Sequence, residues 1–150
     1  MPCVSGNYHR GVGVIIDVVI IDPRTAPTSS PNPNMRFYRG LLDTGATCTC
    51  ISTRTAKEVG LVADGLKPMA SASGITTRKK YLFTLGLPVV EKVDSSGQSA
   101  SGSIIVPVPE IEGMEFDTGS KTQFDVLVGM DIIGRGSLKI DFDGHFSFCF

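Results

Sequence analysis

Residues 39–52, RGLLDTGATCTCIS, constrain this chain more than any other segment. Two leucines run into Asp43, and Thr44, Gly45 and Ala46 follow at once. A carboxylate at the end of an apolar run is costly to bury unless something uses it. A glycine two residues later turns the chain and lets backbone approach without a Cβ in the way. The bland reading is a strand ending in a polar turn, with Asp43 accepting backbone N–H bonds. A lone D-T-G arises by chance. This one has two apolar residues before it, a small residue after it, and a second apolar strand, Val126-Leu127-Val128-Gly129, downstream. That context favours a working carboxylate.

The rest of the chain reads as mostly β, with 17 glycines, 9 prolines and many β-branched residues. Residues 12–21 form a nearly all-apolar strand, buried on both faces or ending in an interface. Residues 22–34, rich in Pro, Ser and Asn, form a loop, and residues 35–42 resume extended structure. Residues 52–61 predict a short helix capped by Ser52 or Thr53 and stopped by Gly60. Residues 66–83 predict two strands joined by a small-residue tip at 71–76. Residues 94–103 predict a polar loop, and the prolines in IIVPVP place the next strand near an edge. MDIIG predicts a helical turn stopped by Gly134. Asp143-Gly144 predicts a two-residue type I′ hairpin turn near the C-terminus.

The bulk numbers exclude several classes. Hydrophobic residues make up 41% and charged residues 19%, enough for a core in one domain spanning 1–150. A net charge of −1 argues against a nucleic-acid partner. The longest apolar run, VGVIIDVVII, is short and broken by Asp17, so no membrane partner is expected. The N-terminal residues lack a signal-peptide pattern, which predicts a cytoplasmic protein with its four cysteines reduced. Cys48 and Cys50 form a C-x-C pair with no second pair beside it, and read as small apolar residues on a strand. Whether Cys3 and Cys149 meet is open at this level. Asp141, Asp143 and His145 alternate, but Asp-Gly is a turn signature and no fourth ligand accompanies them. No metal and no cofactor are expected.

A second D-T-G occurs at Asp117. It follows Asp43 too closely for a second full lobe. Met114-Glu115-Phe116 is not a clean apolar run, and Lys121-Thr122-Gln123 is a polar sequel. It reads as a surface turn. That leaves Asp43 as the D-T-G carboxylate led in by an apolar run.

The motifs LLDTGAT at 41–47 and VLVGMDIIG at 126–134 resemble the retropepsin-type aspartic proteases, single-domain relatives of pepsin. The ending MDIIGRGSLKIDF is more similar to bacterial or phage-type members than to viral ones. The resemblance implies an all-β, closed-barrel acid-protease fold with one or two short helices. It implies an aspartic endopeptidase, active as a homodimer on polypeptide substrates. Asp43 from each copy would share one proton across about 3 Å and activate a water between them. Thr44 would reach across to brace the partner's loop, and Gly45 would admit backbone beside the carboxylates. Ala46 stands where pepsin-like lobes often carry a serine hydroxyl. Its absence implies an optimum nearer mildly acidic or neutral pH than pepsin's. A flap at about 66–85, with Ser73, Gly74 and Ile75 at its tip, would close over substrate. Leu41, Val126, Val128 and Ile132 are candidate pocket residues, with plain core packing favoured for the two valines. The hairpin at about 137–150 sets Phe146, Phe148 and Phe150 on one face, which predicts a dimer interface. Two other readings compete: a non-catalytic peptide-binding or dimerisation module of the same fold, and a structural β-domain with a chance D-T-G.

Overall fold

The computed structural model describes residues 1–8, 10–25, 35–93, 100–117 and 123–150, with backbone only for 90–93 and 100–103. Its strands in chain order are β1 (Cys3–Asn7), β2 (Val14–Ile21), β3 (Tyr38–Leu42) and β4 (Cys50–Ser52), followed by helix α1 (Thr53–Val59). Then come β5 (Leu66–Ser71), β6 (Gly74–Val93), β7 (Ala100–Phe116) and β8 (Val126–Val128). Helix α2 (Met130–Ile133), β9 (Ser137–Ile140) and β10 (His145–Cys149) complete the chain.

Six strands close a barrel in the order β2-β3-β8-β4-β7-β6, because β6 pairs back onto β2 through Val19–Ile21 and Gly86–Thr84. Closure removes the sheet edges that would otherwise invite another chain. A bulge bends the long β6–β7 hairpin. Phe83 pairs with Ile111 and Leu85 with Val108, so Pro109 and Glu110 share the place opposite Thr84. Glu110 takes a φ of 59° there. An extra residue of this kind sharpens twist and re-aims a strand. β7 begins at Ala100, so the polar loop expected over 94–103 is shorter than its composition suggests. Its residues 94–99 lie outside the described residues, as do 26–34 of the other expected loop.

The apolar run of β2 fills the barrel: Val18 and Ile16 are buried, against Phe83, Leu85, Val126 and Val128. Asp17 points out. Helix α1 sits where its caps dictate. Ser52 Oγ accepts the Thr55 N–H at 3.1 Å. At the other end Gly60, at φ 81°, donates to Lys57 O while Leu61 N donates to Ala56 O. These paired bonds satisfy carbonyls the helix leaves free.

A second, three-stranded sheet, β1-β10-β9, packs on the barrel. Phe146 and Phe148 of β10 are buried in the subunit's own core, with Phe150 packed against it. The expectation that this row of phenylalanines faces a partner is therefore corrected: the barrel supplies the apolar surface they need. The turn is corrected too. Asp141 N donates to His145 O and Gly144 N to Asp141 O, so residues 142–144 form a three-residue loop. Gly144 alone takes positive φ, at 91°.

β1 pairs β10 with Cys3 opposite Cys149, and the two are joined by a disulfide. Phe150 N donates to Pro2 O and Tyr8 N to Gly144 O. The cysteines thus fall at the close, non-hydrogen-bonded positions of the ladder, where side chains approach most nearly. The expectation of four reduced cysteines holds only for Cys48 and Cys50.

Candidate active site

β3 delivers Asp43 by packing tightly. Gly40 lies between Val18 and Val128; a Cβ there would sit 3.0 Å from Val18 Cγ1 and 3.2 Å from Val128 Cγ2. β3 runs parallel to β8, with Gly40 beside Val126 and Leu42 beside Val128. β4 runs antiparallel on the other side of β8. Residues 43–49 therefore cross the C-terminal end of β8, and the chain threads that strand between the two ends of the loop.

The crossing is held at every step. Asp43 N donates to Val128 O at 2.9 Å. Ala46 N donates to Asp43 O at 3.2 Å, and Met130 N to Ala46 O at 2.8 Å. Gly129 lies directly beneath the loop, where a Cβ would meet Cys48 C at 2.5 Å and Cys48 O at 2.6 Å. Only glycine tolerates that approach. Asp43 itself is half-buried, and Thr44 and Gly45 are exposed. The Gly45 N–H donates to Asp43 Oδ1 at 2.8 Å. Among the described residues nothing else bonds that carboxylate, which leaves it open to a water or a second acid. Thr44 stands at the surface.

A lock under the loop escaped the sequence reading. Thr49, fully buried, donates its hydroxyl to Asp131 Oδ1 at 2.8 Å and accepts the Gly129 N–H at 3.1 Å. Thr49 N donates to Asp131 Oδ2 at 3.0 Å. The carboxylate at the start of α2 thus grips the far end of the Asp43 loop. The signal was an acid in the first turn of a helix that follows a glycine, but nothing in the order of residues pairs it with Thr49. A similar bridge joins β3 to α1. Asp125 accepts the Arg39 N–H at 3.0 Å and pairs with Arg54.

Of the two cysteines flanking Thr49, Cys50 is the strand residue the sequence predicts, whereas Cys48 lies half-buried in the Asp43 loop, outside any strand, and that part of the expectation is corrected. Cys50 is buried on β4, and burial above all pushes its thiol up to about 12. Cys48, Asp131 and Asp43 nearby push the same way.

Leu41 is half-buried, while Val126, Val128 and Ile132 are sealed in the core. For Ile132 the pocket expectation is corrected: α2 turns it inward beside Ile133.

β5 and β6 form the expected hairpin, closed at Ala72 and Ser73, with Gly74 at φ 122°. Residues 71–79 are all exposed, and Ile75 is 77% exposed. Among the described residues, no hydrogen bond or strand pairing joins Ser73, Gly74 or Ile75 to residues 43–46. An open groove of about 680 Å³ lies between β1 and β2, lined by β1, Ile15 to Asp17 and Phe37, and does not include Asp43. Asp117 is exposed just beyond the end of β7, and residues 118–122 of the second D-T-G stretch lie outside the described residues. No group of three or more His, Cys, Asp or Glu suited to a metal occurs among the described residues.

Comparison with known proteins bears on this geometry. No curated protein matches the chain in sequence. A solved retropepsin-like aspartic protease from Rickettsia conorii is 14% identical. The likeness covers 97% of this chain and 89% of that one, with a TM-score of 0.55. The retroviral protease-like domain of Ddi1 from Leishmania major is also 14% identical, covering 89% of this chain and 85% of that one, with a TM-score of 0.43. At such identity the first likeness speaks for the fold, a retropepsin-like barrel. The model of the aspartyl protease family matches residues 34–132, which run from before β3 into α2. This chain belongs to the aspartyl protease family.

Proposed function

We propose that the protein is a homodimeric aspartic endopeptidase, with Asp43 of each copy as the catalytic residue. The observation that carries this reading is the Asp43 loop. It is rigidly braced from below, yet its carboxylate and Thr44 remain reachable from outside the subunit. A lone carboxylate is half of an aspartic catalyst. Two copies meeting around a two-fold axis would set the pair close enough to share one proton. The ionised member would take a proton from a bound water, and the protonated member would donate to the substrate carbonyl oxygen. The pair would titrate as a unit. Thr44 braces the two loops, and Gly45 keeps the space beside the carboxylates clear. Ala46 lines the floor. The β5–β6 hairpin acts as the flap, with Ser73, Gly74 and Ile75 over an extended peptide. Because the phenylalanines of β10 face inward, the dimer contact falls to the Asp43 loop, the hairpin tip and the open edges of the terminal sheet.

The test is peptide cleavage by wild type and by Asp43→Asn, with molecular mass in solution measured alongside. Cleavage that vanishes in Asp43→Asn and is blocked by a pepstatin-type inhibitor supports the reading. Cleavage retained in Asp43→Asn sinks it. Asp117→Asn should cleave like wild type. A dimer that never cleaves would favour a peptide-binding module of the same fold.

A further inference from the structure

Residues 66–80 carry Lys67, Arg78, Lys79 and Lys80 and no acidic residue, in a chain whose net charge is −1. The topology concentrates these charges. β5 pairs β6 with Lys67 directly opposite Arg78, and Leu66 opposite Lys79. Like charges facing each other across a ladder destabilise it. Lys80 is relieved by Glu112 at 3.4 Å. Among the described residues, no carboxylate lies within ion-pair distance of Lys67, Arg78 or Lys79.

Lys67 lies on β5, the outermost strand. Arg78 and Lys79 lie on the stretch of β6 that pairs β5 alone, and Lys80 lies where pairing with β7 begins. Strand alternation then separates them. Tyr81 and Phe83 of β6 point into the core. Lys79 shares their parity, as do Thr77 and Ile75, so it lies on the same sheet face. Across the ladder that face holds Leu66, Pro68 and Ala70. This face of the hairpin is thus largely apolar and solvent-exposed, with Leu66 70% and Ile75 77% exposed, and Lys79 is its one cation. Lys67 and Arg78 lie on the opposite face and add a field of the same sign.

We infer that the β5–β6 hairpin selects acidic polypeptides, with Lys79 as the specificity residue that meets a carboxylate of the bound peptide. This rests on the hairpin acting as the flap of the proposed peptidase. Two copies would bring two such hairpins over one cleft, doubling the field. Leu66 and Ile75 then contact the apolar part of the peptide, and Lys79 reads a Glu or Asp beside it. Lys67 and Arg78 raise the local concentration of anionic chains through a longer-range attraction that salt screens.

The test uses matched peptides that differ only in Glu or Gln at the positions flanking the cut. The ratio of kcat/KM, Glu over Gln, is read at low and at physiological salt. Wild type should favour the Glu peptide about tenfold at low salt, with the ratio falling as ions screen the field. Lys79→Gln should bring the ratio to about twofold, and Lys79→Glu should invert it. Lys67→Gln with Arg78→Gln should flatten the salt dependence. A wild-type ratio near one, with cleavage intact, overturns the inference and leaves the peptidase reading standing. Binding separates the two failures. Fluorescence anisotropy of labelled Glu and Gln peptides is measured on wild type and on Asp43→Asn. A Glu preference that persists without cleavage upholds the inference independently of catalysis. Equal binding overturns it, and so does tighter binding of a single-stranded oligonucleotide than of the Glu peptide.

Discussion

Thr49→Val removes one hydroxyl from the lock beneath Asp43 and keeps the side-chain shape. Two bonds go with it. The hydrogen bond to the Asp131 carboxylate is charge-assisted, and such bonds contribute about 1.5–3 kcal/mol. The Gly129 N–H, which is buried, loses its acceptor, at a cost of about 1–3 kcal/mol. The added methyl recovers about 0.8 kcal/mol by burial. The net loss is about 3 kcal/mol, a large fraction of the stability of a domain this size. In urea, with a slope near 2 kcal/mol/M, the midpoint should fall by about 1.5 M. Thr49→Ser keeps both bonds and gives up one methyl, so it should lose only about 1 kcal/mol. Both are measured at one protein concentration, because dimerisation would couple to unfolding. Cleavage should fall further in Thr49→Val than in Thr49→Ser, since the Asp43 loop loses its anchor. If the two variants unfold at the same midpoint, the lock contributes nothing and the reasoning fails.

The remaining predictions follow from other contacts. The Cys3–Cys149 bond spans a sequence separation of 146, and the chain-entropy estimate for so long a loop is about 5 kcal/mol. Cys3→Ser should therefore unfold at markedly lower denaturant than the oxidised wild type and match the reduced protein; identical midpoints would refute this. Such bonds persist in oxidising compartments and are reduced in the cytoplasm, so alkylation of the protein from cells also reports where it resides. The side-chain hydrogen bond from Arg24 holds the Asp22 carboxyl below the usual carboxylate range. A lowered folded value means that the stabilisation is present above the ordinary carboxylate pKa and is lost as pH falls through the folded one. Asp22→Asn should then destabilise at neutral pH and converge on wild type in strong acid; a penalty independent of pH would contradict it. With its thiol pushed up to about 12, Cys50 should resist iodoacetamide at pH 8.5 until urea unfolds the protein. Rapid labelling of Cys50 in the folded state would show that burial is not what controls it.

Local features were legible before any coordinates. Ser52 and Gly60 bound α1 because capping needs only neighbouring backbone groups; α2 also stops before Gly134, though that glycine keeps a right-handed φ of −67°. The β5–β6 hairpin follows from two extended runs around small residues. The alternation of Phe146, Phe148 and Phe150 was readable as one face, but a period of two does not say which body covers that face. It was read as an interface and is in fact core. Asp143-Gly144 named the turn region and not its length, because Asp143 keeps negative φ and the loop takes one more residue.

The order of residues by itself determined a mostly β chain in which an apolar strand ends on Asp43 and a glycine clears the space beside it. Those properties depend on side-chain period and on conformational preferences within a few residues. Tertiary structure alone decided that β8 threads between β3 and β4, that Asp131 grips Thr49, and that Cys3 meets Cys149. Each of these joins residues far apart in the chain, and no local preference encodes such a meeting. It is settled by which closed barrel buries the most apolar surface while leaving no buried side-chain polar atom without a partner among the described residues.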